Sequence, residues 1–154
     1  MNTETEQKSL KDISNNILGS GANLSATAAV IALLGMIMPF IGVYINDYTN
    51  GYMNAFQAAN LGAWLMLAGF IVAALSRRVQ SLSSYRNIID IFTFGLAALF
   101  LVLVWFFNPV TSGMGQMEGL FGGQYIPSAT LYPHIGMVAF LVSCGLLYLA
   151  RKKV

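Results

Sequence analysis

The chain has 154 residues, 56% of them hydrophobic and only 9% charged. Soluble domains carry about 25% charged residues, so this composition argues against a soluble fold and for one membrane domain spanning 1–154. A net charge of +2 gives no dense basic surface for nucleic acid, and the single cysteine, Cys144, excludes an intrachain disulfide.

Residues 1–23 form a polar N-terminal segment. They hold no short apolar core ending in a small-residue cleavage site, so no cleavable signal peptide is expected, and the first span would act as an uncleaved anchor. Leu10, Ile13, Ile17 and Leu18 recur at helical spacing. That stripe predicts a short helix over 9–19 lying in the membrane interface. Gly19, Ser20 and Gly21 then make a hinge.

Four apolar runs follow, near 24–45, 56–76, 88–107 and 132–150. A helix needs roughly 20 residues to cross the hydrocarbon core. Pro39 falls in the outer half of the first run and predicts a kink, because it lacks an N–H and crowds the preceding turn. Asn108-Pro109 ends the third run, and Pro133 suits the first turn of the fourth.

All eight Lys and Arg residues lie in three segments: Lys8 and Lys11; Arg77, Arg78 and Arg86; and Arg151, Lys152 and Lys153. The connections 46–58 and 108–133 hold none. This alternation predicts both termini on the cytoplasmic side. The expected fold class is therefore all-α, an integral membrane four-helix bundle of the bacterial inner membrane, multi-pass, with the lipid bilayer as its first partner. Small residues at four-residue spacing (Ser25 and Ala29, Ala28 and Ala32, Gly69 and Ala73) let helices approach closely, but such spacing is common in membrane helices and locates no interface.

The connection 108–133 is long, glycine-rich and carries one charge, Glu118. A disordered linker would be polar and charged. Met114, Met117, Leu120, Phe121 and Tyr125 instead predict an ordered outer cap and are the candidate interface. Tyr44, Tyr48, Tyr52, Tyr125 and Tyr132 fall on the same outer side, as an aromatic belt would.

Two ionisable residues are candidate sites. Asp90 stands at the start of the third run, where an intramembrane carboxylate would suggest proton or cation movement. With Asn87 as N-cap, however, Asp90 would serve the helix dipole, and Asp90→Asn would cost little. His134 is the sole histidine. With Met114 and Met117 it offers copper-compatible donors, but at no specific spacing, so no metal and no cofactor is expected. Cys144 has no neighbouring base to activate it. No nucleophile elbow, zinc-protease motif or phosphate loop is present, so no enzymatic activity and no small-molecule substrate is expected. The composition predicts a non-enzymatic subunit that assembles as a homo-oligomer or within a larger membrane complex, as scaffold, sensor or accessory. The alternative is a small oligomeric channel, hole-former or transporter accessory.

Overall fold

A computed structural model describes residues 20–45, 49–110 and 129–153. The chain is mostly helical, but it is not all-α: a small three-stranded sheet caps one end of the helices. In chain order the elements are α1 (Gly21–Ile37), β1 (Ile41–Ile45), β2 (Thr49–Met53), α2 (Ala55–Ala59), α3 (Leu61–Leu75), α4 (Gln80–Ser83), α5 (Arg86–Phe106), β3 (Ala129–Pro133) and α6 (Ile135–Lys152).

Three of the expected spans are revised. The first was expected to run as a kinked helix to Ile45, but it stops at Ile37. Met38, directly before Pro39, is extended at φ −67° and ψ 163°; a residue preceding proline is pushed out of the helical region. The next residues, Ile41-Gly-Val-Tyr-Ile, are mostly β-branched or aromatic and continue as a strand. The second span is broken at Asn60, whose φ of +35° is tolerated by asparagine better than by most residues. The piece before the break, α2, opens with a capping box: Asn54 Oδ1 accepts from Gln57 N–H at 2.8 Å, and Gln57 Oε1 accepts from Asn54 N–H at 3.0 Å. The fourth span begins at Ile135, and Pro133 belongs to β3 rather than to a first helical turn.

β1 lies at the centre of the sheet, in the order β2-β1-β3, antiparallel to both neighbours. β3 is an edge strand, the place where a strand proline is acceptable. Pro133 pairs with Ile41 and Ala129 with Ile45, tying the segment before α6 back to the end of α1. Gly42 stands between Tyr52 and Tyr132. Any Cβ there would overlap the Tyr132 ring, so that ring lies where a side chain would otherwise stand.

The four long helices run alternately up and down, with α1 packed on α3 and α6, and α5 on α3 and α6. Their buried residues recur in alternating steps of three and four. On α5 they are Asp90, Thr93, Ala97, Phe100 and Val104; on α6 they include Gly136, Phe140, Ser143, Leu147 and Ala150. On α1 the same rhythm runs through Gly21, Ser25, Ala28, Ala32 and Gly35. A repeat of seven is the pattern of a left-handed bundle with shallow crossing angles. α1 and α6 touch nearly backbone to backbone: a Cβ on Gly35 would stand 2.8 Å from the Gly136 carbonyl oxygen, and a Cβ on Gly136 would overlap the Gly35 carbonyl.

Two helices, α5 and α6, are long and apolar enough to cross a membrane by length and composition; α1 and α3 are apolar but shorter, at 17 and 15 residues.

Candidate functional site

Two polar clusters lie at opposite ends of the bundle, with a plug of phenylalanines on the axis between them. Phe40, Phe70, Phe100 and Phe140 are fully buried or nearly so. Phe70, Phe100 and Phe140 come from α3, α5 and α6 and Phe40 from the link between α1 and β1; the centroids of the touching rings are 5.3–5.9 Å apart. Edge-to-face and tilted contacts of this kind each add about 0.5–1.5 kcal/mol beyond the area they bury. The plug leaves the axis filled with rings.

At the basic end, where α3 and α5 are joined through α4, Arg77 and Asp90 form a bidentate ion pair. Nη1 donates to Oδ1 at 2.9 Å and Nη2 to Oδ2 at 2.7 Å. Nη1 also donates to the Ala73 carbonyl at 2.8 Å. The two side chains are 1% and 0% exposed. The expected role for Asp90 is corrected here. α5 starts at Arg86 with Tyr85 as N-cap, so Asn87 lies inside the helix and Asp90 is its fifth residue. The carboxylate is spent on Arg77 rather than on the helix end. Asp90 falls on the heptad stripe of α5, and Arg77, just past the end of α3, stands four residues after the buried Ala73. Thirteen residues apart, they stand at matching distances from the turn near 83–84, so an antiparallel hairpin brings them together. That symmetry was the available signal for Arg77, which the sequence reading took only as a mark of sidedness.

Asp90 is the only acidic residue among the described ones. Arg78 is exposed and Arg86 half-buried, and the Nε of Arg86, like that of Arg77, is buried without a hydrogen-bond partner among the described residues. The other buried polar groups are self-contained. Ser25, Ser76 and Ser143 each donate to a carbonyl three residues back on their own helix. Thr93 donates to Ile89 O at 2.8 Å and also across the seam to Gly69 O at 3.2 Å.

At the sheet end, Tyr44, Tyr52, Tyr132 and His134 gather. Tyr44 and Tyr132 centroids are 4.8 Å apart, and Tyr52 meets His134 edge-on at 4.9 Å. Desolvation pushes the Tyr132 phenol above its usual pKa, and Tyr52 and Tyr44 add to that. His134 is the N-cap of α6, and its Nδ1 is buried without a partner among the described residues. Met114, Met117, Leu120, Phe121 and Tyr125, together with the 9–19 segment and Tyr48, lie outside the described residues, so of the three copper-compatible donors only His134 is placed. No group of three or more His, Cys, Asp or Glu side chains stands together among the described residues.

The described residues also line surface depressions. One, of about 630 Å³, lies between α2 and the end of α5, lined by residues such as Phe56, Asn60, Leu103 and Phe107. Another, of about 390 Å³, is an apolar groove along the outside of the α3–α5 seam.

Comparison with protein-family models, curated proteins and solved structures finds no match to this chain.

Proposed function

We propose that the chain is a four-span membrane protein with both termini cytoplasmic, acting without catalysis as a subunit that assembles with itself or with a larger membrane partner. One observation carries the membrane reading: the outward faces of all four long helices are apolar, and their charges sit at one end. Val30 and Leu34 on α1, Trp64 and Ile71 on α3, Phe92 and Leu99 on α5, and Val138 and Leu141 on α6 are all exposed. The only charged residues in these helices are Arg86, Asp90, Arg151 and Lys152, all at the basic end. A soluble bundle would carry polar residues on those faces. Of the most apolar stretches of α5 and α6, only 28% and 33% is buried within the molecule, whereas the core helix of a soluble protein is mostly buried. The two shorter helices are extended toward the sheet end by apolar, hydrogen-bonded segments: Phe40 N–H donates to Met53 O at 2.8 Å, and His134 N–H donates to Phe40 O at 3.1 Å. Irregular backbone near a bilayer is acceptable when its polar groups are paired in this way.

The subunit reading follows from the chemistry. The plug of four phenylalanines disfavours a path through one copy, both Asp90 oxygens are held by Arg77, and the buried Ser and Thr hydroxyls donate to backbone carbonyls. The membrane reading is tested by alkaline carbonate extraction and by reporter fusions at Ser83 and Gly122. Retention in the membrane and opposite compartments are expected; a soluble chain, or one compartment for both reporters, would overturn it. Native mass in a gentle detergent tests the subunit reading. Oligomers or a co-purifying membrane protein are expected, and a lone monomer would sink it.

A further inference from the structure

The groove outside the α3–α5 seam leads toward arginines for which the described residues supply no carboxylate. We infer that it binds one anionic phospholipid of the cytoplasmic leaflet, with an acyl chain along the groove and the phosphate at Arg86 and Arg78. This rests on the membrane reading above.

The groove is built for a hydrocarbon chain. Leu65, Ala68 and Val72 line it from α3, and Ile88, Phe92 and Leu96 from α5. Its one hydroxyl, on Thr93, is already bonded to Ile89 O and Gly69 O. Gly69 deepens the groove: a Cβ there would meet Leu96 and Thr93 at an ordinary 3.5 Å, so the glycine is not forced by close packing of those neighbours. Arg86 precedes Ile89 by three residues and Thr93 by seven, the spacings that share one helix face, and so continues the α5 wall toward the basic end. Arg78 follows the end of α3.

The charge balance selects the headgroup. Asp90 is the sole acidic residue among the described ones, and Arg77 holds both of its oxygens. Among the described residues Arg86 and Arg78 therefore have no carboxylate to neutralise them, and the Nε of Arg86 is buried without a hydrogen-bond partner. A phosphate supplies both a counter-charge and acceptors that arginine matches well. An anionic phospholipid answers both needs. A free phosphate would use only the arginines, and a helix of a second copy only the groove.

Native mass spectrometry of the full chain in mild detergent, with phosphatidylglycerol or phosphatidylcholine of identical acyl chains added, tests this. One retained phosphatidylglycerol per chain is expected, preferred over phosphatidylcholine by about five-fold for each arginine. Arg86→Gln should lower that preference about five-fold, Arg86→Lys should restore most of it, and Arg78→Gln, at an exposed position, should act like Arg86→Gln. Ala68→Phe, which fills the groove from an exposed position, should lower retention of both lipids. Arg151→Gln should change nothing. Equal retention of the two lipids overturns the inference. So does an Arg151→Gln effect as large as that of Arg86→Gln, which would mean diffuse attraction. Inorganic phosphate displacing the lipid would show that the groove is unused, and a change of oligomeric mass in Ala68→Phe would show that a second copy fills it; either overturns the inference. A wild-type chain that sediments with membranes yet shows no lipid preference sinks this inference alone. A wild-type chain in the soluble fraction sinks the membrane reading and this inference with it.

Discussion

The α1–α6 seam and the α3–α5 seam share one heptad rhythm but are held by different chemistry. α1 presents small residues, and its backbone comes against that of α6 at Gly35 and Gly136. Backbones this close attract by dispersion at short range. The α3–α5 seam stands further open, leaving a groove on its outside, and it is fastened by the Arg77–Asp90 pair and the Thr93–Gly69 hydrogen bond. In lipid, which supplies no hydrophobic drive between helices, close approach and polar ties are the two available means of association. On the membrane reading proposed above, this bundle assigns one to each side.

The largest expected effect comes from cutting the polar tie. Asp90→Asn leaves the Arg77 guanidinium buried without its counter-charge and should cost about 3–5 kcal/mol, read as a fall in melting temperature in detergent with helicity intact at low temperature. The mild outcome expected from the sequence, where Asp90 served only a helix dipole, would mean that water reaches Arg77. Replacing both partners, Arg77→Met with Asp90→Leu, should recover most of the loss, since an apolar pair of similar volume is often neutral. A double variant as unstable as Asp90→Asn would show that the pair also directs the hairpin into register.

Next comes the close-packed seam. Gly136→Ala places a methyl against the Gly35, Met38 and Pro39 carbonyls and should cost about 1–3 kcal/mol by forcing α1 and α6 apart. Gly69→Ala, at the open seam where 3.5 Å of space is available, should be neutral or slightly stabilising through helix propensity. Equal losses at the two glycines, measured by thermal unfolding side by side, would erase the distinction between the seams.

Thr93→Val removes the hydrogen bond to Gly69 while keeping the shape. Such interhelical bonds average about 0.6 kcal/mol in membrane bundles, and a loss of that order is expected in denaturant titration. Ser143→Ala should be the quietest. Its hydroxyl donates to the Phe140 carbonyl of its own helix, and the small loss of that bond is offset by the better helix propensity of alanine. A marked loss at Ser143 would mean that its hydroxyl has a partner in the assembled protein.

Parts of this were legible in the residues. Asn108-Pro109 closes the third helix as its composition indicates, and Asn108 adds a cap by donating from Nδ2 to Val104 O at 3.0 Å. The Asn54 to Gln57 spacing is itself a helix start, masked in the sequence by the apolar run 56–76, which suggests one continuous helix. Gly69 and Ala73 were visible as a small-residue pair without a seam to belong to. Arg77 hid behind its neighbours: among eight basic residues marking sidedness, only its symmetry with Asp90 about the turn near 83–84 sets it apart, and that symmetry counts only once the two helices pair as a hairpin.

By itself the sequence determined where the apolar helices lie and that their charges collect at one end, because hydropathy and charge act residue by residue. The pre-proline restriction at Met38 was also present locally, though only the fold turned a kink into a stop. Tertiary structure decided what no local window contains: the pairing of β1 with β3 across most of the chain, the meeting of Gly35 with Gly136, and the choice of Arg77 for Asp90. Each depends on two distant segments arriving in one register, and that register is set by the packing of the whole bundle, not by the propensity of either segment.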